Sequence, residues 1–315
     1  MPTDLANGCT PRSLGQAVAE TLAYADIFDY PLTIAQICRY LVRTPATPAE
    51  VEAALADPWL AARVERHGEL ICLRGRSQVI AVRRTRERCA ASLWRTARAL
   101  SAVLAHLPFV RMVAVIGSLS MDNVRSAADD IDVLIITAPR RVWLARALVV
   151  GLVRLAALAR VDLCPNYVLS TRRLSMTMDD LFTAHELTQM RPLYGRRSFT
   201  DLLAANRWLE AFLPNATPQT ESVRDLGVVG RRAQCLAEWP LRGRLGDAME
   251  SGLRDRKIAE LRQEALASGS QEAVLDAEEC KGHMDAHAGA IRAAFDRRRA
   301  SALNLRDGEC RADTV

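Results

Sequence analysis

The sequence predicts an α/β core flanked by helical segments, and three features point to it. Two short apolar runs, Val113–Ile116 and Val133–Ile136, read as buried strands joined by a polar loop. A longer apolar stretch, Val142–Ala159, has the length of a helix. A further strand-like run over 161–170 follows it, so strands and a crossover helix succeed one another as in an α/β domain.

Before this core, apolar residues over 14–28 recur at helical spacing, and Asp29-Tyr30-Pro31 ends that helix. A short helix is predicted over Thr33–Val42. A third is predicted over Pro48–Asp57, with Thr47 as its N-cap and Pro48 at its first position. Two short runs around His67-Gly68 read as a hairpin. Three helices followed by a hairpin over 14–78 resemble a winged helix-turn-helix domain in topology. The expected recognition helix, PAEVEAALAD, carries acids and no base. Phosphate contacts supply most DNA affinity, so sequence-specific DNA is not an expected partner. Residues 79–107 read as one connecting helix with Arg83, Arg84, Arg86, Arg88, Arg95 and Arg98 along it. They are a solvated basic face or an electropositive flank for an anionic ligand.

Composition bounds the function only loosely. Among 315 residues, 50% are apolar and the net charge is +5, enough for a sizeable core and a weak pointer to an anionic partner. Only Lys257 and Lys281 are lysines, so the arginine excess reads as coding bias rather than as nucleic-acid binding. The eight cysteines form no CxxC pair and predict reduced thiols rather than a disulfide framework. The first 13 residues, expected to be a disordered tail, hold no signal-peptide core. Arg146 and Arg154 interrupt Val142–Ala159. A buried crossover helix is therefore expected there, with no membrane span and a cytoplasmic location. P-loop, serine-hydrolase-elbow and zincin motifs are absent from the sequence.

The chemistry concentrates at the ends of the two apolar runs. Ile116-Gly117-Ser118 ends the first, and after 11 residues Asp130-Ile131-Asp132-Val133 begins the second. Residues i and i+2 of a strand share a face, so Asp130 and Asp132 project together. Paired carboxylates repel unless a cation lies between them, and Mg²⁺ takes one or two carboxylates plus substrate phosphates. Gly117 allows close backbone approach to a phosphate, and Ser118 adds a hydroxyl and an N–H.

Together these motifs resemble the nucleotidyltransferase superfamily of DNA polymerase β over 108–215, about a third of the chain. The resemblance implies a nucleotidyltransferase core with a mixed sheet. It implies transfer of a nucleoside monophosphate from an NTP, ATP first, to an acceptor that no motif identifies. It further implies two Mg²⁺ ions on Asp130, Asp132 and a third acid, with Gly117 and Ser118 binding the nucleotide. The run VDLCPNYVLS is where the third acid belongs; Asp162 has the apolar-Asp-apolar form, and Asn166 is the alternative on the same face. Pro165 between them predicts an edge or a bulge. A non-catalytic binding or regulatory protein built on the same fold and a winged-helix module is the other implication.

Downstream, a helix ending near Pro192 and a second over Phe199–Phe212 are expected. Arg191, Arg196 and Arg197 are candidate phosphate contacts, and Tyr194 a candidate base platform. Residues 216–315 predict a polar helical region with a disordered end from Arg306. His283 and His287 there lack a third placed ligand and form a weak metal signal.

Overall fold

A computed structural model describes residues 13–158, 161–176, 178–217, 223–268, 274–281 and 287–303, with backbone alone for 261–268, 274–275 and 287–288. Of the tail expected over 1–13, residues 1–12 lie outside the described residues while Ser13 is described; the end from Arg306, His283 and the side chain of His287 also lie outside them. The chain groups into two compact units. One is formed by the N-terminal residues up to Arg83 with 210–217 and the end of the chain from Ile291. The other is formed by 84–209 and the following residues up to Ala290.

In the first unit, α1 (Leu14–Asp26), α2 (Ile34–Arg39) and α3 (Pro48–Leu55) start in the same way. Ser13, Thr33 and Thr47 each accept from the backbone N–H three residues on. Gln16, Gln36 and Glu50 reach back to the cap N–H, closing capping boxes. Helix α3 is shorter than the sequence suggests because Asp57 caps a new turn, α4 (Pro58–Ala61), with Pro58 at its first position. The hairpin follows as β1 (Val64–His67) and β2 (Leu70–Leu73), paired antiparallel, with Leu32 bridged to Ile71. Arg83, expected on a basic face, is instead buried over the Tyr30 ring and donates to the Pro31 carbonyl and Gln36. It belongs to α5 (Gln78–His106).

The second unit is built on a mixed six-stranded sheet. Its elements run β3 (Val110–Val115), α6 (Gly117–Ser120), β4 (Ile131–Thr137), α7 (Val142–Leu158), β5 (Leu163–Ser170), α8 (Leu181–Gln189), β6 (Arg191–Tyr194) and α9 (Arg196–Ala205). After α10 (Leu209–Phe212) come α11 (Val228–Glu238), a 3₁₀ turn, α12 (Arg244–Ser268), β7 (Val274–Leu275), β8 (Glu279–Lys281) and α13 (His287–Leu303). Strand order is β6-β3-β4-β5-β8-β7. Among the described strands only β4 and β5 pair in parallel, joined by α7, and the other strand pairs are antiparallel. Trp143, Ile131 and Ile135 lie fully buried in the core, each apolar side chain worth about 1.5–3 kcal/mol in transfer terms.

Three parts of this sheet unit were not expected. The helix drawn to Pro192 stops at Gln189, and Pro192 sits on β6, an edge strand where its missing N–H costs no central ladder bond. The helix drawn over Phe199–Phe212 breaks into α9 and α10 at Asn206. The described residues of the C-terminal region up to Ala290 also contribute a strand and buried contacts to this unit. Strand β8 adds to β5 at Tyr167–Leu169. Buried Glu250 accepts from the Trp143 and Leu144 N–H groups at 3.0 and 2.7 Å, closing the start of α7. Gln234 donates to the Ala105, Leu107 and Val110 carbonyls, and Glu238 accepts from the Phe109 N–H and from Arg111. In the first unit the last helix returns, where Arg299 and Glu20 form a buried ion pair at 2.9 Å. Among the described residues no helix is long and apolar enough to cross a membrane.

Candidate metal and phosphate site

Strand β3 ends where Ile116 donates to the Asp132 carbonyl at 3.0 Å, so the Gly-Ser turn is held against the first residues of β4. Gly117 then takes φ +67°, a left-handed conformation that favours glycine. A Cβ there would stand 2.7 Å from Asp132 Oδ2, so that carboxylate would have to shift to admit one. The turn continues into α6, with the Ser118 carbonyl accepting from the Asn123 N–H at 2.9 Å and Ser120 Oγ donating to the Gly117 carbonyl at 2.8 Å. Gly117 is exposed and Ser118 half-buried.

The loop beyond is pinned by Trp94 and Asp122, which the sequence did not assign to the site, together with Arg191, expected as a phosphate contact, and Arg86, from the expected basic flank. Asp122, itself at φ +56°, accepts from Trp94 Nε1 at 2.5 Å and from Arg191 at 2.8 Å. Arg191 lies over the Trp94 ring, 5.0 Å from its centre. Arg86 donates to Asn123 Oδ1 at 3.1 Å. Arg191 is thereby a clamp on the loop. Arg196 donates to the Val223 carbonyl, and Arg197 is almost fully exposed near Asp201. Tyr194 and Arg197 line a second cleft beside Arg111 and Glu238, one that shares no lining residue with the cleft next to the acids. Only spatial proximity would have revealed the Trp94–Asp122–Arg191 cluster, because its members lie in three separate elements.

Asp130 and Asp132 come together as the spacing requires. Asp130 is exposed just before β4, and Asp132 is half-buried within it. Burial first, and Asp130 second, push the Asp132 carboxyl up to about 6. Asn166 donates to its Oδ1 at 3.3 Å and partly offsets that rise. The third member of the cluster is Cys164, directly across the parallel ladder from Asp132. Ligand atoms of Asp130, Asp132 and Cys164 all lie within 4.8 Å of one another. Burial and the two carboxylates push the Cys164 thiol up to about 12, so it is neutral there.

Asp162 stands one residue before β5, exposed, and is not in that cluster; its carbonyl accepts from the Ile131 N–H at 2.9 Å. Its charge still reaches Asp132, as the weakest of the causes raising that carboxyl. The β4–β5 register shifts between Asp132 and Leu134, leaving Pro165 and Asn166 opposite Val133 alone. Pro165 therefore lies in a bulge, in the half of β5 that β8 does not reach. The bulge carries Asn166 round to Asp132.

Asn166 also lines a narrow cleft along the Leu134 side of the sheet. Ile116, Leu134, Met176 and Met190 give it apolar walls, and Glu186 and Lys281 bring charge. His185, beside Glu186 on α8, is buried and held neutral, its imidazole pushed down to about 3.

Two carboxylates with little to balance them suit a hard divalent cation, which takes oxygen ligands. The thiol of Cys164 is not such a ligand. Asp130 and Asp132 are thus the oxygen donors of a candidate metal-binding cluster. Compared with protein-family models, with curated proteins and with solved structures, the chain finds no significant match in any of the three.

Proposed function

We propose that the sheet unit is a nucleotidyltransferase core that binds a metal-complexed NTP and transfers its nucleoside monophosphate to an acceptor. The observation that carries this reading is the fit of the Gly117 turn against Asp132. A phosphate-accessible backbone and a carboxylate pair meet at one point, in the order and spacing of the resembling superfamily. An acceptor oxygen would bond to the α-phosphorus as the bond to the β-phosphate oxygen breaks, and pyrophosphate would leave. When bound, Mg²⁺ neutralises phosphate charge and orients the leaving group. Asp130 and Asp132 hold it. Ser118 and the Gly117 backbone receive the terminal phosphates. The Trp94–Asp122–Arg191 clamp keeps their loop in one conformation, so that positioning costs little at the moment of reaction.

Calorimetric titration of the full chain with ATP tests this reading. Binding is expected with Mg²⁺ and not with a chelator, and Asp130→Asn should weaken it by at least ~10-fold. Equal affinity with chelator, or no change in the variant, would exclude the site.

A second reading is favoured by one observation: Cys164 and Asn166, not an acid, face Asp132 from β5. With Asp162 exposed outside the strand, a second metal has no preformed carboxylate set. In that case the fold binds nucleotide without transfer and serves, with a winged-helix-like first unit, as a regulatory module. Pyrophosphate release separates the two readings.

A further inference from the structure

We propose that the β1–β2 hairpin carries a second metal site, formed by Glu65, His67 and Cys72, that takes a zinc-class divalent ion. Residues 65 and 67 alternate onto one face of β1, and Cys72 is the direct cross-strand partner of Glu65 on β2. Their ligand atoms all lie within 4.8 Å of one another.

The donors differ from those at the carboxylate pair and so select a different ion. Thiolate, imidazole and a single carboxylate suit zinc, whereas Mg²⁺ avoids sulfur. Tetrahedral zinc ligands at ordinary bond lengths stand about 3.3–3.8 Å apart. His67 Nε2 and Glu65 Oε2 already stand 3.4 Å apart. The carboxylate is oriented for this. Gly75, at φ +78°, donates its N–H to Oε1 at 3.0 Å and leaves Oε2 for the cluster. That hydrogen bond fixes the orientation of the Glu65 carboxylate beside His67.

Cys72 is buried against Val79 and Ile80 and donates weakly to the Glu65 carbonyl at 3.8 Å. Without metal, burial and then Glu65 raise its thiol pKa; a bound cation would displace the proton, which leaves to solvent. His67 sits at the exposed end, so the ion would enter from solvent and keep its fourth position for water. The arginines around the hairpin do not occupy the cluster's donors: Arg76 is paired with Asp26 and Asp29. Arg66 is paired with Glu52 at 2.5 Å, and Arg74 is tied to the Ala61 and Ala62 carbonyls.

The test is a Co²⁺ titration of the chelator-stripped full chain, read by the thiolate-to-cobalt charge-transfer band, with Zn²⁺ competition. Cys164 is the thiol of the other such cluster among the described residues, so Cys164→Ser is the control. The band is expected in the wild type and in Cys164→Ser, absent in Cys72→Ser, and at least ~10-fold weaker in apparent affinity in His67→Ala. Equimolar Zn²⁺ should abolish it and raise the thermal midpoint of the wild type but not of His67→Ala. His67 is well exposed, so that variant keeps the fold even if Cys72→Ser does not. A band that follows Cys164, one indifferent to His67, or none at all would overturn the proposal. It would leave Glu65 and His67 as a surface ion pair.

Discussion

Asp132 Oδ2 stands 2.7 Å from where a Cβ on Gly117 would be, so the turn and the carboxylate occupy the site as interlocking surfaces. Gly117→Ala must both adopt a left-handed backbone and push Asp132 aside. A loss of about 1–3 kcal/mol in denaturant unfolding is expected, from the conformation alone. Mg-ATP affinity should fall with it. A variant as stable and as tight-binding as the wild type would mean that the turn is not packed on Asp132.

The raised Asp132 carboxyl makes a signed prediction. Its folded pKa, about 6, lies above its ordinary value of 3.8, so the folded protein holds this proton more tightly than the unfolded chain does. Without metal, stability contributed here is present below about pH 4 and lost as pH rises through 6. Asp132→Asn removes that loss. Metal-free thermal melts should show the variant more stable than the wild type at pH 8, by on the order of 2 kcal/mol, with the difference vanishing at pH 4. Metal and nucleotide binding run oppositely, weakening in the wild type below pH 6 as the carboxylate is neutralised.

Much of this was legible in the sequence. The Gly-Ser turn, both strands beside it, the paired acids and the Pro165 bulge follow from periodicity and from what proline and glycine permit. The rest was hidden for identifiable reasons. Strand β6 is four residues behind a helix-like run, and β8 is three residues in a polar segment, too short for a period-2 signal. Cys164 enters the cluster through ladder register, which depends on where the bulge falls. Glu250 reaches α7 from 106 residues away, and no local pattern announces that contact.

Glu250 should therefore matter more than a polar helical region would suggest. Glu250→Ala leaves the buried Trp143 and Leu144 N–H groups without their acceptor. A cost of about 2–3 kcal/mol is expected in chemical denaturation, with far-ultraviolet dichroism nearly unchanged. A neutral outcome would show that solvent replaces the carboxylate.

The first unit should not read DNA sequence. The exposed side of α3 carries Glu50 and Glu52, and Glu52 already engages Arg66 of the hairpin. Gel shifts with random genomic fragments at physiological salt should give no discrete complex. A footprint would promote the regulatory reading.

Pyrophosphate release is the most direct test of the central claim. The wild type, Asp132→Asn and Asp162→Asn would each be incubated with Mg²⁺ and all four NTPs in a cell-extract acceptor pool, alongside NTP affinity for the same proteins. A nucleotidyltransferase predicts release by the wild type and a fall of at least ~10² in Asp132→Asn. Asp162 is exposed and outside the Asp130–Asp132–Cys164 cluster, so Asp162→Asn is expected to keep both release and binding within a few-fold. Mg-NTP binding by the wild type without pyrophosphate from any pool, or release that survives Asp132→Asn in a folded protein, would contradict it.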